Sequence, residues 1–268
     1  MVLKKSDDRG LFALPPLTCR YILGMRVDAT SYEDAIQRIF VWSRGRESRY
    51  VCVANVHMTM EAYDAPDFRR IVNAADLVTP DGMPLVWMLR RLRVPGQERV
   101  YGPELTVRVC EVAAREGIPV GFYGGTPEAL EGLVQKLKVR FPDLKVAYAY
   151  SPPFRPLAAE EDERIVREIN ASGARILFVG LGCPKQERWM AAHKGRVQAV
   201  MIGVGAAFDF HAGRLPQAPA WMQRAGLEWL FRLLTEPRRL WRRYARHNPR
   251  FIILALMQLL GLRKFGEA

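Results

Sequence analysis

The chain has 268 residues, 49% of them hydrophobic, and a formal net charge of +12 at pH 7. This length and apolar content suffice to bury the core of one large α/β domain, or of one domain with an appendage, and they exclude general disorder. The four cysteines contain no C-x-x-C pair, so reduced thiols are expected rather than a disulfide framework.

The first eight residues carry charges with no apolar segment behind them, so no secretory signal is predicted and we expect a cytoplasmic protein. Ser31 marks the start of a helix that reaches Trp42. Two further helices begin at Thr126 and Ala158. Between residues 50 and 210, short β-rich apolar runs alternate with helical periods, which predicts an α/β fold with a mainly parallel sheet covered by helices. The predicted strands span residues 50–54, 75–79, 119–123, 146–150, 175–180 and 199–204.

The final segment, residues 214–268, differs from the rest in charge. Its eleven Arg or Lys and three Glu leave it with +8 of the net charge. Pro237 and Pro249 interrupt the helical pattern and predict three helices, over residues 221–235, 237–247 and 250–262. The apolar run 251–262 is shorter than the roughly 17 to 25 residues of a spanning helix. We therefore expect an α/β core at 1–213 and a basic, amphipathic helical appendage at 214–268 that lies on an anionic membrane surface.

Ligands of open parallel sheets bind beyond the carboxyl ends of the strands, so the loops at those ends hold the candidate site. Glycine-rich turns let backbone N–H groups approach a phosphate, although each such turn is also an ordinary connection between strand and helix. The glycines in question are Gly124, Gly125, Gly182 and Gly205. Neither G-x-G-x-x-G nor a Walker A loop is present, so the pattern favours a phosphorylated small molecule without a dinucleotide-binding fingerprint.

Asp81 directly follows an apolar strand and precedes Gly82. A carboxyl in such a crevice has its pKa raised by the low dielectric, which suits it to general-base work on a hydroxyl. The alternative is a residue that forms the turn or caps a helix. His57 and His193 have no partner at metal-binding spacing, so no protein-held transition metal is expected. The sequence has no D-x-D triplet, so cationic side chains and backbone donors would have to stabilise a leaving phosphate.

Two other classes of function stay open. Arginines interleaved with aromatic residues in a basic chain are also typical of nucleic-acid-binding proteins. The apolar run at 251–262 argues against that class. An oxidoreductase that uses a dinucleotide could share the same sheet, but its fingerprint is missing.

Three segments, in this order, resemble the WecG/TagA/CpsF family of glycosyltransferases. They are GLGCPKQERW at 180–189, GVGAAFDFHAG at 203–213, and the stretch from APAW to EPRR at 218–239. The resemblance extends from about residue 21 to residue 244. It implies a Rossmann-like sheet and a metal-independent, inverting transfer of a sugar from a UDP donor to a sugar on polyprenyl diphosphate. N-acetylmannosamine or a related sugar is implied as the moiety transferred, in cell-envelope or exopolysaccharide synthesis, with no cofactor.

The resemblance also implies roles for individual residues. Asp81 matches the acid proposed as the family's general base, and Asn55 falls in the loop that lines the same pocket. Arg99 matches an arginine that neutralises diphosphate. Gln186, beside Lys185, matches a polar residue expected to contact donor or acceptor.

The basic appendage corresponds to the family's membrane-engaging segment, which implies a peripheral position on the inner face of the cell membrane. Arg224, Arg232 and Arg238 are implied to reach the acceptor's diphosphate, with contacts to lipid headgroups alone as the alternative. The implied partners are a UDP-sugar, a polyprenyl-diphosphate-linked sugar and an anionic membrane, but no nucleic acid. Whether the chain forms a homo-oligomer is left open.

Overall fold

A computed structural model describes residues 14–265. The N-terminal segment whose composition predicts no secretory signal lies outside this range, as do residues 266–268. The main sheet has six strands, all parallel, in the order β4-β3-β8-β7-β5-β6. Its strands are β3 (Arg49–Ala54), β4 (Leu77–Pro80), β5 (Val120–Gly124), β6 (Val146–Tyr150), β7 (Ile176–Gly180) and β8 (Val200–Gly203). The predicted parallel α/β sheet is thus confirmed, and every predicted strand end lies within two residues of the observed one.

A small antiparallel hairpin precedes the sheet and was not predicted. It consists of β1 (Cys19–Ile22) and β2 (Met25–Asp28). The core helices are α1 (Tyr32–Arg44), α2 (Val56–Asp64), α3 (Pro66–Asn73), α4 (Met83–Arg91), α5 (Gly102–Glu116), α6 (Pro127–Arg140), α7 (Ala159–Ser172), α8 (Lys185–His193) and α9 (Ala207–Ala212). Ser31 and Thr126 cap α1 and α6, because each side-chain oxygen accepts a hydrogen bond from a backbone N–H three residues later.

Both faces of the sheet are buried except at the edge strand β6, where Ala147 and Ala149 are exposed, and this explains why the other strands read as continuous apolar runs. Successive residues of a strand point to opposite faces. In β3, Tyr50 and Cys52 belong to one apolar core, and Val51 and Val53 belong to the other.

The order in which the strands are connected indicates where the fold would bind a ligand. From β3 the chain adds β4 at one edge of the sheet. It then crosses to the other side of β3 to form β5, and β8 later pairs directly with β3. Ligands of open α/β sheets bind at such a switch point, beyond the carboxyl ends of the strands.

The C-terminal segment contains α10 (Ala220–Arg224), α11 (Glu228–Thr235) and α12 (Pro237–Leu259). The prediction of one helix over 221–235 was wrong, because Gly226 adopts φ of +71° and separates α10 from α11. A Cβ atom at Gly226 would lie 2.6 Å from the ring of Trp87. Glycine is therefore required where the appendage contacts α4.

The predicted break before Pro249 was also wrong, because α12 runs through this proline. A proline inside a helix removes one backbone hydrogen bond and costs about 3 kcal/mol. Contacts beyond it offset this cost, since Phe251 and Ala255 are buried against the core. Gln258 donates to the Tyr21 carbonyl and accepts from the Leu23 N–H, at 2.6 and 3.0 Å.

The opposite side of α12 faces solvent. Ile252, Ile253, Leu256 and Leu260 are 58%, 59%, 52% and 71% exposed. Among residues 14–265, no helix combines the length and the apolarity needed to cross a membrane. The end of α12 thus has one face on the core and an apolar face without a partner in the described chain.

Candidate active site at the carboxyl edge of the sheet

Asp81 lies at the carboxyl end of β4, at the rim of the switch-point crevice. Its N–H donates to the Ala54 carbonyl at 2.8 Å, which ties the turn to the end of β3. The cap of the following helix, α4, is Gly82, with no side-chain cap bond, so the carboxylate does not cap α4 and instead accepts a hydrogen bond from the backbone of Gly102 at the start of α5. Its side chain is 14% exposed. The carboxylate is thus largely enclosed yet open to a ligand from one side.

Arg99 is the residue that holds Asp81 in place. Its Nη2 lies 3.3 Å from the Asp81 carboxylate, and its Nε donates to the Asp81 carbonyl. The guanidinium also stacks on Tyr101, with its carbon 4.0 Å from the ring centroid. Arg99 and Asp81 were predicted separately, and the structure brings them into contact.

Glu228 is a member of this cluster that the sequence analysis missed. Its Oε2 lies 2.6 Å from Nη2 of Arg99, although 129 residues separate the two in the chain. The residue belongs to α11, so the appendage itself closes over the rim of the site. The only earlier signal was its place in the segment 218–239 that carries the family resemblance.

Burial is the main cause of the raised pKa of Asp81, and the charges of this cluster modify it. Burial raises the pKa of Asp81 from 3.8 to about 6, while Arg99 lowers it and Glu228 raises it. The Asp81 carboxyl therefore exchanges its proton near neutral pH, where a general base is effective.

Gln186 and Glu187 form a second polar cluster at the start of α8. Gln186 is 4% exposed, and both ends of its amide are engaged. The oxygen accepts from Gly182 N–H at 3.1 Å, and the nitrogen donates to Glu187 at 2.7 Å. One N–H and one oxygen lone pair of this amide remain for the predicted ligand contact, which requires a ligand to reach a buried side chain.

Glu187 is fully buried, and burial raises its pKa from 4.5 to about 7, against hydrogen bonds from Gln186 and Cys183 that lower it. The folded chain holds this proton more tightly than the unfolded chain. The protonated carboxyl therefore makes its full contribution to the free energy of unfolding below about pH 4.5. That stability is lost as the pH rises through about 7.

We expect Glu187→Gln to be more stable than the wild type at pH 8, by on the order of 2 kcal/mol. The two should differ little at about pH 5. Denaturant unfolding at both pH values measures the difference, with Glu111→Gln on an exposed helix position as the matched control. Equal stability of Glu187→Gln and wild type at pH 8 would show that the carboxyl is not held protonated.

The glycine loops serve packing more than phosphate contact. A Cβ atom at Gly124 would lie 2.6 Å from the Gly180 backbone, so the ends of β5 and β7 require it. The amides of Gly125, Gly182 and Gly205 donate to Gly180, Gln186 and Val179 respectively. In this conformation these three N–H groups donate within the protein, so a phosphate would have to displace these bonds to bind them.

The two remaining predicted site residues of the α/β core, Asn55 and Lys185, differ in exposure. Asn55 is the cap of α2, and its side-chain oxygen accepts from Met58 N–H at 3.2 Å. The backbone of Asn55 would lie 3.3 Å from a Cβ atom at Gly82, so it is next to the Asp81 turn. Lys185 begins α8 and is exposed.

The three predicted acceptor-binding arginines are not equivalent. Arg232 is 18% exposed in its side chain, pairs with Glu236 at 3.4 Å and stacks on Phe210. Arg224 and Arg238 are exposed on the appendage. Of this set, the structure therefore brings only Arg232 against the core, at Phe210 of α9.

The premise that His57 lacks partners at metal-binding spacing was wrong. His57 lies on the first turn of α2, with Glu61 one turn later, and His247 of α12 joins them. A separation of 190 residues hid His247 from the sequence pattern. His193 instead contacts the Asp162 carboxylate at 2.9 Å.

Comparisons with known proteins agree with the resemblance of the three segments. The sequence model described as "Glycosyl transferase WecG/TagA/CpsF family" matches residues 20–265. An N-acetylglucosaminyldiphosphoundecaprenol N-acetyl-beta-D-mannosaminyltransferase of Bacillus spizizenii is 32% identical over 197 residues, covering 72% of this chain and 74% of that protein. The family match includes both the carboxyl edge of the sheet and the appendage.

Proposed function

Because the chain belongs to the WecG/TagA/CpsF family of glycosyltransferases, we propose that it transfers N-acetylmannosamine or a related sugar from a UDP donor to N-acetylglucosamine on polyprenyl diphosphate. The similar protein from Bacillus spizizenii bears a name that states this acceptor and this sugar. The product would belong to cell-envelope polysaccharide synthesis. The observation that carries the chemistry is the enclosed Asp81 carboxyl, with its pKa near 6, against the Arg99 guanidinium.

The proposed reaction is a single displacement. Asp81 takes the proton of an acceptor hydroxyl as the hydroxyl oxygen forms a bond to the anomeric carbon of the donor. The bond from that carbon to the diphosphate oxygen breaks at the same time, and UDP leaves with the electron pair. Attack from the side opposite to the leaving group inverts the anomeric configuration.

Arg99 is proposed to receive the negative charge that develops on the leaving diphosphate. We assign this to Arg99 rather than to the glycine amides, because three of those amides already donate inside the protein. Glu228 shares Nη2 of Arg99 and would compete with a diphosphate for it. A guanidinium at this position stabilises the leaving group without a metal ion.

The appendage is proposed to bring this site to a lipid-linked acceptor. Arg224 of α10 and Arg238 at the start of α12 are exposed, so that they can contact phosphates at a membrane surface. We propose that the protein acts at the inner face of the cell membrane, where the UDP donor is available.

Product analysis tests the proposal directly. The chain is incubated with a short polyprenyl-diphosphate-linked N-acetylglucosamine and a panel of UDP-sugars, in the presence of EDTA. We expect one added N-acetylhexosamine by mass spectrometry, with UDP-N-acetylmannosamine as the best donor and an anomeric configuration opposite to that of the donor by NMR. Failure to form any disaccharide, with or without added divalent metal, would contradict the proposed function.

A further inference from the structure

Two histidines and a glutamate meet where α12 of the appendage crosses α2 of the core. Nδ1 of His57 lies 3.8 Å from Oε1 of Glu61, and Nε2 of His247 lies 3.6 Å from the same oxygen. One ligand atom from each residue lies within 4.8 Å of the others. These separations are too long for hydrogen bonds. The two distances to Glu61 lie within about 0.5 Å of the roughly 3.3 Å that separates two atoms bound to one tetrahedral ion at a radius of about 2.0 Å.

The hydrogen bonding of His57 determines which nitrogen faces Glu61. The ring bonds to the backbone of Cys183, and Nδ1 is buried without a hydrogen-bond partner. Donation from Nε2 to the Cys183 carbonyl therefore leaves Nδ1 as a bare acceptor. An acceptor that faces a carboxylate oxygen has no bond to make, and a cation between the two would satisfy both.

The same carbonyl contact resembles the outer shell of known metal sites. Histidines that bind a metal usually donate their other N–H to a carbonyl or carboxylate, which fixes the ring.

Several charges surround the cluster. Arg246 and Arg250 contact Asp64, the latter at 2.6 Å, so their charge is partly balanced. Arg243 lies near His57 and opposes a cation there. Glu61 supplies the negative charge at the centre of the cluster, and its side chain is 32% exposed. That exposure leaves a route from solvent to the cluster.

We propose that His57, Glu61 and His247 bind one divalent ion of the zinc class, which fastens the appendage to the core. Two imidazole nitrogens and one carboxylate oxygen form a ligand set that zinc accepts, with a fourth position for water. Mg²⁺ and Ca²⁺ prefer oxygen ligands throughout and fit this set poorly. Because Asn55 caps α2, the ion would join α12 to the helix that borders the candidate active site.

Metal titration of the full chain after removal of metal with EDTA tests the proposal. We expect Zn²⁺ to bind with a stoichiometry of one and to raise the melting temperature, while Mg²⁺ has no effect. Co²⁺ replaces zinc as a spectroscopic probe and should show the visible bands of a site with nitrogen and oxygen ligands. A sulfur-to-cobalt charge-transfer band would show instead that a cysteine binds the metal, and would overturn the assignment.

Glu61→Gln and His247→Gln test the individual ligands. Each should weaken Zn²⁺ binding by at least about tenfold, the effect that even outer-shell changes produce. Glu111→Gln, the same substitution on an exposed position of α5, should bind Zn²⁺ as the wild type does. Equal affinity for Zn²⁺ in all three variants and in the wild type would refute the site. If a variant fails to fold, the cobalt spectrum of the wild type shows whether nitrogen and oxygen ligands bind the metal.

Amide hydrogen exchange tests the fastening itself. Residues 240–255 of α12 should exchange more slowly when Zn²⁺ is added to the wild type, and His247→Gln should show no such change. Zinc binding at this cluster with unchanged exchange in α12 would mean that the ion does not hold the appendage. This outcome is independent of sugar transfer, so it separates the ion site from the proposed activity.

Discussion

The Asp81→Asn variant is expected to transfer sugar at least about a hundredfold more slowly than the wild type, the effect typical of losing a general base. An amide keeps the shape of the side chain but cannot accept the proton of the attacking hydroxyl. Arg99 keeps Glu228 as an ion-pair partner in this variant, at 2.6 Å, so the guanidinium is not left without a counter-charge. We therefore expect the fold and the binding of UDP to persist.

The pH dependence of turnover gives this prediction a second measurement. The base must be deprotonated to act, so kcat/KM of the wild type should rise with pH through about 6, the pKa that burial produces at Asp81. Asp81→Asn should lose this dependence. Asp67→Asn serves as the control, because it removes an exposed carboxylate of α3 that pairs with Arg188. This variant should keep both the rate and the pH profile of the wild type. A near-normal rate for Asp81→Asn would eliminate Asp81 as the base.

Replacing three exposed apolar residues of α12 and the one at its C-terminal cap with glutamine is expected to reduce binding to anionic liposomes by about a hundredfold or more. The variant carries changes at Ile252, Ile253, Leu256 and Leu260. Each side chain that enters the acyl boundary contributes on the order of 1 kcal/mol. Four together correspond to more than two factors of ten in the partition coefficient. Liposome flotation at fixed lipid concentration measures the loss.

This variant tests membrane binding more specifically than a truncation at residue 214 does. Truncation would also remove Phe251 and Ala255, which are buried in the core, so loss of binding could reflect loss of folding. The outward-facing changes leave these contacts in place. Val139→Gln, at an 84% exposed apolar position on α6, is the control and should bind liposomes normally. Unchanged flotation of the fourfold variant would refute membrane contact through α12.

Salt and lipid charge separate the contribution of the arginines. Each basic residue near an anionic leaflet contributes about 1 kcal/mol, which salt screens. Binding to liposomes should therefore weaken when salt is added and when the lipids are neutral. In a gel-shift titration with duplex DNA, no complex should persist at the salt concentration at which the protein still binds anionic liposomes. Stronger binding to DNA than to anionic liposomes would favour a nucleic-acid-binding protein.

The local pattern of the sequence was sufficient to predict the sheet. Strand period and turn residues act over a few positions, so apolar runs that end in Gly, Pro or Asp locate the strands to within two residues. The same rules placed Asp81 at a strand end. Local rules failed at Pro249, because the packing of Phe251 and Ala255 far along the helix outweighs the cost of one proline.

Contacts between distant parts of the chain depended on the tertiary structure alone. Glu228 meets Arg99 across 129 residues, and His247 meets His57 across a still longer separation. No periodicity connects such positions, since only the folding of the appendage back onto the core brings them together. The residues that end the strands follow from the order of amino acids, whereas their ion pairs, their pKa values and the cluster between α2 and α12 arise from desolvation and proximity in the folded chain.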